Sequence, residues 1–216
     1  MALLVNEIFY SIQGESSYAG LPCVFVRLTG CNLRCSYCDT QYAYEEGEEM
    51  EIGKIVGLVS AYKCPLIEVT GGEPLIQNET PYLVQCLLEK GYTVLMETNG
   101  SQDISRVDNR CVKIVDVKCP LSGEAGQNDF KNLDRLTDRD EVKFVISGRE
   151  DYEYSKEVLN IHLNLTLSMM NRIHFSPVFG RIKPRELAKW ILDDHLNVRL
   201  HVQLHKIIWE PNQRRV

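Results

Sequence analysis

Three cysteines fall within eight residues, in Gly30-Cys31-Asn32-Leu33-Arg34-Cys35-Ser36-Tyr37-Cys38-Asp39, with the spacing C-x3-C-x2-C. Soft thiolates this close together suit an iron–sulfur cluster or zinc. So short a loop wraps three sulfurs around one corner of a cube and offers no fourth. A cluster with three protein ligands keeps one iron open, as a catalytic metal site requires and a structural one avoids. The alternative is a zinc site completed by a distant Cys or His. Zinc knuckles usually pair one C-x2-C with another, and the sequence holds no second C-x2-C and no H-x3–5-H near these cysteines. The other five cysteines, Cys23, Cys64, Cys86, Cys111 and Cys119, are scattered. Residues of that kind are most often small apolar packing groups.

Such a loop needs a frame. Short runs rich in Val, Ile and Leu read as strands at 23–28, 66–70, 93–97, 113–117, 141–146, 173–176 and 200–204. This is the pattern of strands buried on both faces. Helical spacing appears at 51–62, 80–90, 152–163 and 184–195, with Gly91 as a stop and Pro184 as a start. A βαβαβα order implies a parallel sheet. A closed eight-stranded barrel typically takes about 250 residues, and this chain has 216. The expected fold class is therefore α/β, an open partial (β/α) barrel with a parallel sheet. Chemistry in such folds gathers at the C-terminal ends of strands. The polar runs Thr70-Gly71-Gly72-Glu73-Pro74, Thr98-Asn99-Gly100 and Lys118-Cys119-Pro120 fall at those ends.

With 44% hydrophobic residues and no Pro/Gly/Ser-rich linker, the chain reads as a single domain over 1–216. A net charge of −6 argues against a general nucleic-acid or anionic-membrane surface. No apolar run approaches a membrane span, and the first ten residues carry Glu7 and no basic side chain, unlike a signal peptide. A cytoplasmic location is expected, where disulfides are disfavoured. The acidic run Glu45, Glu46, Glu48, Glu49 and Glu51 reads as a solvated face. It is a poor dock for flavodoxin-like reductants, which are themselves acidic.

The cysteine motif after the first barrel strand, followed by Gly-Gly-Glu-Pro after the second, resembles the radical S-adenosylmethionine superfamily. Ile12-Gln13-Gly14-Glu15-Ser16, Arg27, Cys38-Asp39-Thr40, Glu97-Thr98-Asn99-Gly100 and Gln203-Leu204-His205-Lys206 narrow the resemblance to the 7-carboxy-7-deazaguanine synthase family, over nearly the whole chain. Glycyl-radical-enzyme activating enzymes share the core motifs and are the nearest alternative. A non-catalytic zinc-binding module is the alternative from another class. The resemblance implies a [4Fe–4S] cluster on Cys31, Cys35 and Cys38, with S-adenosylmethionine chelated to the open iron, and Mg²⁺. It implies one-electron cleavage to a 5′-deoxyadenosyl radical, the cofactor carrying the hard chemistry. The implied reaction contracts 6-carboxy-5,6,7,8-tetrahydropterin to 7-carboxy-7-deazaguanine with loss of ammonia, towards 7-deazapurines such as queuosine. An electron donor such as flavodoxin or ferredoxin and a homodimer come with it.

Residue roles follow from the same resemblance. Thr40 would hold Mg²⁺, a hard ion content with few protein ligands, or merely cap a loop. Arg27, a lone charge in an apolar run, would grip the substrate carboxylate bidentately, or satisfy a structural ion pair. Ile12, Gln13, Gly14 and Glu15 would meet the pterin's amide and amine edges, and Thr70, Gln203 and His205 would also face substrate. A terminal carboxylate at Val216 could reach it too. Tyr37, Cys38 and Asp39, with Gly71, Gly72 and Glu73, would contact the methionine end of the cofactor. Asn99, Asp116, Lys118, Cys119 and Pro120 would serve its ribose and carboxylate. Ser147, Ser176 and Pro177 would line the adenine site. His201, Gln203 and His205 would share one face if 200–204 is a strand. His174 reads as packing.

Overall fold

The computed structural model describes residues 1–162, 172–211 and 213–216. Among them nine strands form one sheet in the order β3-β1-β2-β4-β5-β6-β7-β8-β9. They are β1 (Ala2–Ile12), β2 (Pro22–Leu28), β3 (Glu48–Glu51), β4 (Leu66–Gly71), β5 (Thr93–Thr98), β6 (Val112–Val117), β7 (Glu141–Ile146), β8 (Ile173–Pro177) and β9 (Arg199–Leu200). From β2 to β9 every pairing is parallel, whereas β1 runs antiparallel to β2 and to β3. The sheet has two free edges, β3 and β9, so the barrel is partial and open, as expected.

The helices are α1 (Ile52–Ala61), α2 (Thr80–Glu89), the single turn α3 (Lys131–Asp134), α4 (Arg149–His162), α5 (Pro184–Asp193) and the single turn α6 (His205–Ile208). The expected helix 152–163 begins three residues earlier, and residue 163 lies outside the described residues. Between β5 and β6 only a 3₁₀ turn, Ile104–Arg106, makes the crossover, and β6 to β7 uses 3₁₀ turns and α3. The regular βα alternation therefore lapses in the middle of the chain.

Side-chain alternation explains why the strands are buried on both faces. One set of positions packs under the helices: Val24, Val26 and Leu28 of β2 and Ile67 and Val69 of β4 join Ile55, Val59, Leu83 and Leu87. Phe144 of β7 and Phe175 of β8 meet Tyr152, Leu159 and Leu187 in a second cluster. The Phe175 ring stands edge-on to Phe144 and Tyr152 at 5.4 and 5.8 Å, a favoured aromatic geometry. The alternate positions face the barrel interior and are polar: Arg27, Glu68, Thr70, Glu97, Asp116 and Lys143 all border cavities. Register sets Arg27 beside Thr70 and Asp116 beside Lys143.

Three expectations change. The N-terminus is a strand, with Leu3, Val5, Glu7, Phe9 and Ser11 buried on one face. The acidic run is solvated, but Glu48–Glu51 also forms the edge strand β3 against Ala2–Val5; charges on an edge discourage further pairing. The strand expected at 200–204 shrinks to Arg199–Leu200, because the chain then leaves the sheet and Leu204 N donates to Gly14 O at 3.0 Å. His201, Gln203 and His205 thus do not share a strand face, and His205 opens α6. No helix among the described residues is long and apolar enough to cross a membrane.

Candidate active site

β2 delivers the cysteine loop to the open end of the sheet. Glu73 N donates to Gly30 O at 2.7 Å and Gly30 N to Ala43 O at 2.8 Å, which fixes the start of the loop. Leu33 is buried beneath it, and Ser36 N is tied to Ser122 O at 2.9 Å. Cys31, Cys35 and Cys38 are partly exposed and line one wall of a cavity of ≈ 1040 Å³, open at its mouth. Cys23, Cys64, Cys111 and Cys119 are buried and Cys86 is half-buried, as packing residues would be. Burial pushes the Cys31 thiol up and the Cys35 thiol up to about 11. With the Cys31 and Cys35 thiols raised, a metal's charge is what would favour their thiolates. N–H donors already point at Cys31 Sγ, from Leu33 N at 3.4 Å and Asn99 Nδ2 at 3.8 Å. Such donors suit cluster thiolates. The donor set therefore fits an iron–sulfur cluster.

The Gly71-Gly72 turn sits against this loop. A Cβ on Gly72 would lie 1.7 Å from Gly30 O, a backbone atom with no room to yield. We expect Gly72→Ala to lower stability by about 1–3 kcal/mol or more and to reduce iron uptake, read by denaturant melts and iron analysis. Unchanged melting with full iron content would contradict this close approach.

A second cavity, ≈ 830 Å³, adjoins the first. Arg27, Asp39, Thr40, Thr70, Glu15 and Glu97 border both. Arg27 makes the ion pair of one expected alternative. Its Nε donates to the buried Glu7 at 2.9 Å, and its Nη1 reaches Gly71 O at 3.4 Å, while the guanidinium still borders both cavities. Tyr42 OH donates to the same Glu7 oxygen at 3.1 Å. Thr40 Oγ1 donates to Asp39 at 2.9 Å, and Asp39 pairs with Lys206. Burial alone would raise the Asp39 carboxyl, but Lys206 outweighs it and holds it below the usual range.

The far wall of the second cavity comes from both ends of the chain. Ile12, Gln13, Gly14 and Glu15 face His205, Lys206 and residues 213–216, Val216 included. Gly14 allows this contact, since a Cβ there would sit 2.3 Å from His205 Nδ1. Gln13 Nε2 donates to Glu68. Burial, then the neighbouring Glu97, pushes the Glu68 carboxyl well above its ordinary value. Glu15 behaves oppositely. Burial would raise it, but Lys143 and His205, with the Gln203 hydrogen bond, hold it well below the usual carboxylate range. Its oxygens accept from Lys143 Nζ and Gln203 Nε2, both at 2.8 Å. Glu15 is thus committed within the protein rather than free to read a ligand edge. Burial lowers the His205 imidazole, against the pull of Glu15 and Asp39.

Of the residues expected at the cofactor, Tyr37, Cys38, Asp39, Gly71, Gly72, Asn99, Asp116 and Lys118 line the larger cavity, as does Gln203. Six lie outside both cavity linings. Glu73 is wholly buried, and its oxygens accept from Leu75 N, Thr98 Oγ1 and Asn99 N at 3.0, 2.9 and 2.6 Å. It braces two turns rather than facing a ligand. Cys119 packs against Ser155, with sulfur to hydroxyl oxygen 3.5 Å. Pro120 opens a 3₁₀ turn. Ser176 donates to His201 O at 3.0 Å, and Pro177 ends β8 beside the lining residues Val178 and Phe179. The Ser147 hydroxyl is buried without a partner among the described residues. His174 is buried, 2.8 Å from Glu141. Sequence reasoning missed Glu68, Lys143, Tyr42 and Tyr44, and had Glu97 and Lys206 only as parts of motifs.

A family model described as the radical SAM superfamily matches residues 25–191. The 7-carboxy-7-deazaguanine synthase of Koribacter versatilis is 44% identical, over 98% of this chain and 99% of its own. The enzyme of that name from Chlorobaculum tepidum is 46% identical, over 99% and 97%. Among solved structures, QueE from Escherichia coli superposes with a TM-score of 0.79 at 23% identity, over 95% of each chain. The fold, the cysteine loop and these full-length likenesses together establish that the chain belongs to the 7-carboxy-7-deazaguanine synthase family of radical S-adenosylmethionine enzymes.

Proposed function

We propose that the chain is a 7-carboxy-7-deazaguanine synthase, contracting 6-carboxy-5,6,7,8-tetrahydropterin with loss of ammonia, dependent on S-adenosylmethionine and Mg²⁺. One observation carries the reading. The cysteine-lined cavity and the cavity beneath Arg27 share a wall, so a ligand of each would meet at Arg27, Thr40, Thr70 and Glu97. Cys31, Cys35 and Cys38 would hold the cluster, which with S-adenosylmethionine supplies, when bound, one-electron reductive cleavage to start a radical reaction.

The chain's own residues bind, aim and exclude water. Arg27 is already oriented by Glu7, which leaves its remaining guanidinium N–H groups for the substrate carboxylate. Among the described residues no three His, Cys, Asp or Glu side chains form a ready-made cage for a single ion. Magnesium bound through the Thr40 hydroxyl, water and a substrate oxygen needs no such cage. The Glu68–Gln13 pair and the Glu97 carboxyl supply acceptors for the pterin's N–H edges, which must find partners once buried. Gly71 and Gly72 let the backbone approach the methionine end of the cofactor.

An activase needs an opening wide enough for a protein segment. Here residues 213–216 line the second cavity, Arg214 stacks on Tyr42 at 3.8 Å and Arg215 lies 3.5 Å from Glu7. That enclosure favours a small substrate. A flavodoxin- or ferredoxin-type donor, a homodimer and a cytoplasmic setting belong to the same proposal.

The test is anaerobic turnover with carboxypterin, S-adenosylmethionine, Mg²⁺ and reductant. The expected product is lighter than the substrate by the mass of ammonia. Untouched carboxypterin beside a reduced, fully loaded protein would sink the assignment.

A further inference from the structure

Lys143 belongs to none of the motifs above. It sits mid-strand on β7 with its side chain 8% exposed, yet it borders the larger cavity. Its Nζ donates to Glu15 Oε2 at 2.8 Å and Glu97 Oε1 at 2.9 Å, with Asp116 Oδ2 at 3.9 Å. These carboxylates arrive from the loop after β1, from β5 and from β6. The other Glu15 oxygen is taken by Gln203, and Asp116 Oδ2 accepts from Lys118 at 2.8 Å. Among the described residues, Glu97 Oε2 alone of the oxygens on Glu15 and Glu97 accepts no side-chain hydrogen bond, and Glu97 borders both cavities.

Burying an ammonium among carboxylates is costly, and a well-packed apolar residue often serves stability as well or better. The placement therefore points to use. We propose that Lys143 is a positioning residue: its ammonium clamps Glu15 and Glu97 as carboxylates at the wall common to both cavities, so that the second Glu97 oxygen meets a pterin N–H edge as an anion. The inference rests on the pterin reading.

Lys143 faces Glu15, Glu97 and Asp116 directly, with Glu68, Lys118, His201 and His205 around them. Burial, opposed chiefly by Lys143, already leaves the Glu97 carboxyl above its ordinary value. Without the ammonium, like charges and desolvation lose their chief opponent. Glu97 and Glu15 then bind protons more tightly and become neutral at higher pH than in the wild type. The acceptor is lost on the acidic side and regained on the alkaline side.

The experiment uses the full chain as Lys143→Met, Lys143→Arg and Glu97→Gln. In Lys143→Met, KM for carboxypterin should rise about tenfold or more, while KM for S-adenosylmethionine stays put. Its kcat/KM should show an acidic limb at higher pH than in the wild type, and Lys143→Arg should restore most of the loss. Carbon-13 NMR of glutamate-labelled, cofactor-free protein should show a carboxyl that titrates at higher pH in Lys143→Met than in the wild type, and that is missing from Glu97→Gln. A folded Lys143→Met with unchanged KM, the wild-type pH profile and no raised titration overturns the proposal. If that variant does not fold, Glu97→Gln decides, since unchanged KM for carboxypterin there overturns it equally. If the wild type leaves carboxypterin untouched while the carboxyl titration moves as expected, the substrate assignment falls and the clamp stands.

Discussion

Replacing Cys35 by alanine should leave a folded protein without a stable cluster and without measurable turnover. Cys35 sits on the partly exposed loop, held by Cys38 N donating to Cys35 O at 3.1 Å and by Ser36 on Ser122. Removing its sulfur takes no buried contact from either hydrophobic cluster, in which Cys35 has no part. Two remaining sulfurs cannot hold a cluster that already has one open corner. Since radical enzymes draw nearly all their rate from the cofactor, the loss should be about 10⁶-fold or greater. Cys31→Ala and Cys38→Ala should match it. Cys111→Ala offers the contrast. Cys111 is wholly buried in the first hydrophobic cluster, so the change should cost about 1 kcal/mol or somewhat more in stability and keep iron and activity. Iron and sulfide analysis beside thermal melts reads both. Full iron content in Cys35→Ala would refute the ligand assignment.

The second large effect is expected at Arg27. Arg27→Lys keeps a cation for the buried Glu7, which has a side chain 1% exposed, so folding should survive. It removes the planar fork that grips a carboxylate with two parallel hydrogen bonds. A charge-assisted hydrogen bond is worth about 1.5–3 kcal/mol. The expected loss in kcat/KM for carboxypterin is therefore about 10–100-fold, mostly in KM. Arg27→Met should be worse on two counts. It loses the grip, and it leaves the buried Glu7 with only Tyr42 and the exposed Arg215, at up to about 3–5 kcal/mol for breaking a buried pair. If Arg27→Lys binds carboxypterin as tightly as the wild type, Arg27 is only a structural partner of Glu7.

What the sequence made legible, and what it hid, follows from which signals are local. The cysteine loop, the Gly71-Gly72 turn and the apolar cores of β2, β4, β5, β6, β7 and β8 are local patterns, and each was readable from spacing alone. β1 was hidden because Glu7 and Ser11 sit on its buried face and break the apolar alternation that marks a strand. Glu7 makes sense only beside Arg27, which is twenty residues away. Glu68, Glu97 and Lys143 were hidden for the same reason. Each stands in a run that otherwise reads as buried, and only the pairing of separate strands brings these charges to one wall. The C-terminal run misled in the other direction. His201, Gln203 and His205 have strand spacing, but Leu204 bonds to Gly14 rather than to a neighbouring strand. That long-range contact is invisible in the local pattern.

The account stands on a cluster with a vacant corner next to the Arg27 cavity. The most direct measurement is electron–nuclear double resonance on the reduced protein, reconstituted with iron and sulfide, using S-adenosylmethionine labelled at its amino nitrogen. Nitrogen coupling to the cluster, lost in Cys35→Ala, is the predicted result. A fully loaded, reduced wild-type cluster with no such coupling would mean that no iron is open to the cofactor, and would contradict the account.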